Sequence, residues 1–461
     1  MKLSPYQRYT PSGIEWLGDV PAHWEVKRGR FCMDVNPSSN RLRTLRSHDE
    51  VSFVPMEAVG EYGGLDLDQT RTISEVTSGY TEFDNGDVVV AKITPCFENG
   101  KGALAEGLVN GVAFGTTELH VLRATPTLDR RLLFYFTMSG LFRSTGEGEM
   151  YGAGGQKRVP ATFCENIRVP LPPLGEQRAI VAFLDCETAK IDALVTKKRA
   201  LIDRLKEKHI ALISRTVTRG LPPDAARAAG FDPHPKLKPS GIDWLGDVPA
   251  HWDVKRLKFV VNAPLKYGAN EAAEVDDPDL PRYVRITDID QKDRLREDTF
   301  KSLPADVTAE YLLREGDLLF ARSGATAGKT FLYRRIWGEC VYAGYLIRAR
   351  LDTRKAVPAF VRYFTASSNY WQWLASAFIQ ATIQNVSAER YASLWLPLAP
   401  LHEQKPIVAF LDCETAKIDE MVTKVETAIE RLQEYRTAVI TAAVTGRIDV
   451  RGASPHAYTV R

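Results

Sequence analysis

The chain has 461 residues, 44% hydrophobic and 26% charged, which is room for two to three soluble domains with real cores. Lys plus Arg number 60 against 58 Asp plus Glu, a formal charge of +2. That balance excludes a uniformly cationic coat and confines any nucleic-acid surface to a local patch. There is no apolar run of about 18 residues, so no membrane-spanning helix is expected. The start, Met1-Lys2-Leu3-Ser4-Pro5-Tyr6-Gln7-Arg8, lacks an apolar signal-peptide stretch. Cys32, Cys96, Cys164, Cys186, Cys340 and Cys413 form no CxxC pair. Neither a disulfide framework nor a zinc ribbon is expected, and a reducing, cytoplasmic setting is.

In chain order, residues 11–28 read PSGIEWLGDVPAHWEVKR and return at 239–256 as PSGIDWLGDVPAHWDVKR, with 16 of 18 positions identical. The differences are Glu15/Asp243 and Glu25/Asp253. His23-Trp24 and His251-Trp252 in this motif read as packing, the Trp under a Pro turn and the His capping a loop. A turn signal then leads into a strand-like run, Asn85-Gly86-Asp87-Val88-Val89-Val90-Ala91-Lys92, matched by Glu315-Gly316-Asp317-Leu318-Leu319-Phe320-Ala321-Arg322. Gly100-Lys101 and Gly328-Lys329 follow at similar places. The glycine-rich stretch Gly146 to Gly155 does not fit GxGxxG after a strand and reads as a flexible loop.

Residues 170–192, PLPPLGEQRAIVAFLDCETAKID, return at 397–419 as PLAPLHEQKPIVAFLDCETAKID, with 19 of 23 positions identical. Repeats offset by 227 and 228 residues mean a duplicated pair of domains, since solenoid repeats run about 20–50 residues. Each copy opens a helical pattern of about 40 residues, roughly 60 Å of helix. A heptad seam runs through Ile191, Leu194, Lys198, Leu201, Leu205, Lys208 and Leu212, and its counterpart through Ile418, Met421, Val425, Ala428, Leu432, Tyr435 and Val439. The two helices are expected to pair antiparallel. Residues 219–238 read as a Pro-, Gly- and Ala-rich linker and 447–461 as a polar, mobile tail.

Catalytic motifs do not assemble. Ser323 to Thr330 has three residues between its glycines where a P-loop needs four, and reads as a basic hairpin turn. Pro278-Asp279 with Asp290-Gln291-Lys292 fits a metal-nuclease pattern only loosely and occurs in one half. The Asn/Asp-Pro-Pro-Tyr/Phe tetrad of an amino-methyltransferase is missing, and the eight histidines show no HxxxH or HExxH spacing. No nucleophile, base and orienting group recur together.

Binding chemistry is better served. Arg322 to Lys355 holds eight Lys/Arg against Glu339 and Asp352, with Tyr333, Trp337, Tyr342 and Tyr345 interleaved, a composition suited to phosphates with nearby base contacts. The loop Gly155-Gln156-Lys157-Arg158-Val159 aligns with Thr382-Ile383-Gln384-Asn385-Val386. Arg and Lys favour guanine edges and Asn and Gln adenine edges, so equal positions with opposed types suit two domains reading different sequences. The candidate contacts are Lys92, Thr94, Lys101, Gln156, Lys157 and Arg158 in the first half, and Arg322, Ser323, Lys329, Thr382, Gln384 and Asn385 in the second.

The paired Ser-Gly-Ile-Glu/Asp-Trp-Leu-Gly…Val-Pro-Ala-His-Trp and Pro-Leu-x-Pro-Leu-x-Glu-Gln motifs, each set running into a long helix, closely resemble the specificity (S) subunit of Type I restriction-modification systems. The resemblance covers nearly the whole chain. It implies an α+β fold with two similar target-recognition domains joined by two long antiparallel helices about a pseudo-two-fold axis. The boundaries are then 1–169 and 239–396 for the recognition domains, 170–218 and 397–446 for the helices, 219–238 for the linker and 447–461 for the tail. It implies that each domain reads half of a bipartite site in double-stranded DNA, that the helices fix the gap, and that they dock two methyltransferase (M) subunits carrying S-adenosylmethionine. Two restriction (R) subunits, where present, add ATP- and Mg-dependent chemistry. The chain itself is then not an enzyme and holds no cofactor or metal. Half-sites read from one face of the duplex are centred roughly 10 bp apart, and a near-neutral chain alone is expected to bind DNA weakly. Pro172 and Gly175 become Ala399 and His402 in the second copy, which makes the two M-docking surfaces unequal. Two alternatives stay open: the specificity subunit of another bipartite-site system, and a protein-binding adaptor with degenerate recognition domains.

Overall fold

The computed structural model describes residues 4–153, 155–290, 293–379 and 385–452, without the side chains of residues 305, 306, 378 and 379. The chain is a mixed helix and strand protein in two units. One is Met1–Lys198 with Glu426–Arg461, and the other is Arg199–Val425.

In the first unit the run after Asn85-Gly86-Asp87 becomes the strand Val88–Ala91, buried at every residue. Four consecutive apolar residues suit a strand covered on both faces. It lies between Leu119–Ala124 and Gly102–Leu104, and Met33–Val35 completes an antiparallel sheet. A second four-stranded sheet orders Thr70–Thr72, Glu50–Val54, Val112–Gly115 and Thr81–Asp84, with one parallel pair. The strand Glu25–Arg28, at the end of the opening motif, pairs with Arg168–Leu171, at the start of the second motif.

In the second unit Asp317–Ala321 sits between Leu346–Arg350 and Thr330–Leu332, with Lys266–Tyr267 at the edge, all antiparallel. Asp253–Arg256 pairs with Trp395–Leu398. The aspartate at the start of each central strand is a lock. Asp87 takes Arg123 Nε and Nη2, both at 2.7 Å, and Asp317 takes Arg350 Nε and Nη2 at 2.7 and 2.6 Å. A buried carboxylate needs such a bidentate partner.

The two motifs that recur together are bonded to each other. Glu176 accepts from Tyr6 Oη at 2.6 Å and Trp24 Nε1 at 3.0 Å, and lies 2.8 Å from His23 Nε2. In the second unit Glu403 takes Trp252 Nε1 at 3.0 Å and lies 2.8 Å from His251 Nε2. Gln177 and Gln404 are buried, each satisfying main-chain groups, among them Asp129 N and Val357 N, both at 2.7 Å. The expected packing role of His-Trp therefore has a definite partner: the first-turn glutamate of a long helix.

Those helices are Leu174–Arg219, 46 residues, and Leu401–Val444, 44 residues. Each is continuous, with its first part in one unit and its last part in the other. In the first unit Ile180 and Leu184 share a core with Ile440 and Ala443, and Arg436 Nε lies 3.4 Å from Asp192. In the second, Ile213 and Val217 share a core with Ile407 and Leu411, and His209 Nε2 lies 3.8 Å from Asp419.

The predicted seam is half right. Ile191, Ile418 and Val439 are buried, but Leu194 and Leu201 are 47% and 44% exposed, and Met421 and Tyr435 are exposed too. The buried positions are Val195 and Ile202, with half-buried Leu205, His209 and Leu212, and in the second helix half-buried Val422 and buried Arg436. Spacing from Ile191 runs four-three where three-four was expected. Both registers share every seventh residue, and only the packed neighbours choose between them.

Three further expectations change. Gly146 is not in a flexible loop but in the helix Gly140–Gly148, where an added Cβ would collide with the Phe97 ring. The stretch read as a linker carries a short helix, Pro223–Ala228, with Ala226 buried. The tail is anchored at its start: Val450 is buried, Asp449 N donates to Ser4 O at 2.9 Å, and the Arg451 guanidinium lies over the Tyr6 ring at 4.9 Å. Residues 453–461 lie outside the described residues.

Candidate functional site

In the first unit the central strand runs on into Lys92, which the main chain clamps on both sides. Lys92 N donates to Glu118 O at 2.9 Å, and Val159 N donates to Lys92 O at 2.8 Å. Ile93 pairs with Arg158, and Thr94 N donates to Lys157 O at 3.0 Å. The Thr94 hydroxyl donates to Gly155 O at 2.7 Å and accepts from Lys157 N at 2.9 Å. The predicted Lys92 and Thr94 are thereby laced to Gln156, Lys157 and Arg158, with Gln156 and Lys157 exposed. Lys101 O takes the Ala91 N–H at 3.0 Å, which brings it alongside. Its ammonium, however, donates to Met56 O at 2.9 Å, so Lys101 braces the fold where a DNA contact was expected.

Arg158 is held by a residue the sequence reading missed. Glu118 accepts from its Nε at 2.9 Å and its Nη2 at 2.8 Å. That bond holds the Glu118 carboxyl below its usual range, so it stays ionised. Beside it, buried His120 lies 2.8 Å through Nε2 from Val159 O and 3.4 Å through Nδ1 from Asn36 Nδ2. These partners suit a neutral ring with its proton on Nε2. Burial pushes the His120 pKa down.

The second unit builds the same ladder from different residues. Arg322 N donates to Tyr345 O at 3.0 Å, Val386 N to Arg322 O at 2.8 Å, and Ser323 pairs with Asn385. Ala321 N donates to Lys329 O at 2.8 Å, and the Lys329 side chain is exposed. Arg322 lies over Tyr267 at 4.9 Å, with its Nε 3.3 Å from Asn385 Oδ1. Arg322, Ser323, Lys329 and Asn385 therefore come together, while Thr382 and Gln384 lie outside the described residues. The turn at Gly324–Thr326 joins two antiparallel strands as a hairpin.

The basic run from Arg322 to Lys355 is not one binding face. Arg350 is spent on Asp317, and Arg354 and Lys355 face Asp352. Tyr333 and Tyr342 are buried, and Trp337 stacks on Phe331 at 4.8 Å. Of the four interleaved aromatics, Tyr345 stands well out, 67% exposed. Among the described residues no group of three or more His, Cys, Asp or Glu is placed to hold a metal, and no helix is long and apolar enough to cross a membrane. Gln291 and Lys292 of the loose nuclease pattern lie outside the described residues. The six cysteines are free thiols.

Residues 48–204 match the family model of the Type I restriction modification DNA specificity domain. The chain is 40% identical over 165 residues to the EcoAI specificity subunit of Escherichia coli, a match spanning 35% of this chain and 28% of that one. It is 23% identical over 452 residues to the MjaVIII specificity subunit of Methanocaldococcus jannaschii, spanning 94% of each. In fold it is similar to a chain from a solved type I R-M system studied for its complex assembly and conformational transition, with a TM-score of 0.62 at 18% identity, covering 93% of this chain and 99% of that one. These likenesses are to Type I restriction enzyme specificity subunits, although the chain spans less than a third of the length of the EcoAI subunit it matches.

Proposed function

We propose that this chain is the non-catalytic DNA-specificity subunit of a Type I restriction-modification assembly, with residues 1–169 and 239–396 as two target-recognition domains, each reading half of a bipartite site in double-stranded DNA. One observation carries this reading. The same strand ladder is built in both units, and at matched rungs the side chains differ: Lys92 against Arg322, Glu118 against Tyr345, Arg158 against Asn385. A frame kept twice with different contents suits a reader of two different half-sites. Exposed Lys157 and Lys329 suit phosphate contacts, while Gln156, Arg158, Asn385 and the aligned Gln384 suit base edges. Ser323 and the aligned Thr382 complete the proposed contacts of the second half.

The helical segments, 170–218 and 397–446, are the proposed ruler between the half-sites, paired antiparallel about a pseudo-two-fold axis. The Asp192–Arg436 and His209–Asp419 approaches support that sense. Two methyltransferase subunits are the proposed partners on the outer helix faces, where Leu194, Leu201, Met421 and Tyr435 stand exposed. S-adenosylmethionine belongs to those subunits, and ATP and Mg to restriction subunits where they join. The setting proposed is the cytoplasm.

The test is a methylome. The chain is expressed with its partner methyltransferase in a host lacking adenine methylation, and the modified bases are sequenced. A split motif with methyladenine in each half, lost when this chain is omitted, is expected. A stable complex with no methylation sinks the reading in favour of the adaptor.

A further inference from the structure

Two positions outside the twelve candidate contacts occupy the same rung of the two ladders. Glu118 and Tyr345 each give their carbonyl to the residue that ends the central strand, Lys92 at 2.9 Å and Arg322 at 3.0 Å. The residue opposite on the next rung is Arg158 in one unit and Asn385 in the other. In the first unit the two side chains form one object. Arg158 gives Nε and Nη2 to the Glu118 carboxylate at 2.9 and 2.8 Å, and the pair stays open to solvent, 38% and 25% exposed.

That object offers a donor and an acceptor side by side. Arg158 Nη1 is the guanidinium nitrogen not spent on the carboxylate; its remaining neighbour, Gln156 O, is 3.5 Å away, at the outer limit of a hydrogen bond. A carboxylate has about four lone-pair sites, and two bonds from Arg158 leave others free. In the major groove a G·C pair shows acceptors on guanine, N7 and O6, next to a donor on cytosine, N4. A lone arginine satisfies guanine only. An arginine carrying its own carboxylate satisfies both bases of the pair, and the carboxylate also limits how far the long arginine side chain can swing. A thymine or adenine in that place sets its own groups against the wrong partner.

We propose that Arg158 and Glu118 act together as the reader of a single G·C base pair in one half-site, with Glu118 a specificity-determining residue in its own right. The second unit has no carboxylate on this rung. It has the exposed Tyr345 ring, an Asn385 amide whose oxygen lies 3.3 Å from Arg322 Nε, and Arg322 itself over Tyr267. The same rung therefore does not impose the G·C requirement on the other half-site.

This inference rests on the DNA-specificity reading, and the experiment keeps the two apart. The full chain, wild type or carrying Glu118→Gln or Arg158→Gln, is expressed with the partner methyltransferase in a host lacking adenine methylation, and methylated sites are sequenced. Glu118→Gln keeps the shape and removes the charge. It is expected to relax one position of one half-site, raising methylation of sites with another base pair there by about tenfold relative to the intact motif. Arg158→Gln is expected to change preference at that same position, and the other half-site is expected to stay as it was. The inference is overturned if Glu118→Gln leaves the motif intact, whether methylation holds or falls evenly at all sites. It is overturned equally if the two variants act at different base pairs. Should Glu118→Gln yield no complex, Arg158→Lys, which keeps the charge but loses the fork, must alter the same G·C preference or the inference falls. Absence of chain-dependent methylation in the wild type is a different outcome, and it removes the functional reading itself.

Discussion

Glu176 gathers His23 and Trp24 from the opening motif and Tyr6 from just before it, at 2.6–3.0 Å. Replacing it by Ala strands the Trp24 N–H and the Tyr6 hydroxyl in a buried place, and Glu176→Ala is expected to cost about 3 kcal/mol. Glu403 holds the same motif with Trp252 and His251 but has no tyrosine, so Glu403→Ala is expected to cost less, about 2 kcal/mol. Chemical denaturation of the full chain reads both, and equal losses refute the asymmetry. His120 supplies a pH response. Burial depresses its pKa below the ordinary 6.5, so the unfolded chain binds a proton that the folded unit refuses. Its contribution to stability is full above pH 6.5 and is lost as pH falls below that value toward the depressed one. Thermal melts at roughly pH 7.5 and roughly pH 5 should show the first unit weakening, and His120→Gln should flatten that slope. At this scale the sequence was legible in part. His23-Trp24 was read as packing, but its partner lies 152 residues further along in Glu176. Glu118 was missed, and so was its match to Tyr345, although carrying the 227-residue offset back from the aligned loops sets the two positions side by side.

The long helices show how an element can be certain in kind and ambiguous in register. Periodic apolar residues after the Glu-Gln pair predict both helices, and both form. The seam through Leu194 and Leu201 and the seam through Val195 and Ile202 fit the sequence about equally well. Leucine is favoured at the first pair of positions and β-branched residues at the second, so composition does not choose. The burial pattern makes a sharp contrast. Ile202→Ala is expected to cost about 3 kcal/mol as a large-to-small change at a buried site, whereas Leu201→Ala is expected to cost under about 0.5 kcal/mol. Urea titrations of the two variants decide it, and the reverse order would restore the seam predicted from spacing. The residues freed from the seam acquire another use. Leu194→Asp with Leu201→Asp is expected to leave the melting temperature nearly unchanged and to abolish co-purification with the methyltransferase. Retained co-purification moves the docking surface elsewhere.

At the scale of the whole molecule, the duplicated sequence yields two units of closely related construction, each drawing on the first part of one long helix and the last part of the other. The chain's end joins its beginning within the first unit: Asp449 is bonded to Ser4, Val450 is buried, and Arg451 lies over Tyr6, itself a ligand of Glu176. Removing residues 447–461 is therefore expected to lower the melting temperature of the first unit by several degrees, an order consistent with one buried side chain and a ring contact. A truncated chain that melts with the full-length one shows that the tail is dispensable.

Repetition, strand runs and helical periodicity are local patterns, and reading them was enough for the duplication, the central strands and the two long helices. The same local reading set the candidate contacts in matching loops of the two halves, because turn chemistry and offset are properties of neighbouring residues. It failed where distant residues compete for the same side chain. Lys101 goes to Met56 O, Arg350 to Asp317, and Leu201 loses its place to Ile202. A cation counts toward a binding surface only after the fold has assigned the buried carboxylates and carbonyls. An apolar residue counts toward a seam only after its neighbours have been packed. Those assignments are made between residues far apart in the chain, at short range in space, where hydrogen bonding and burial act.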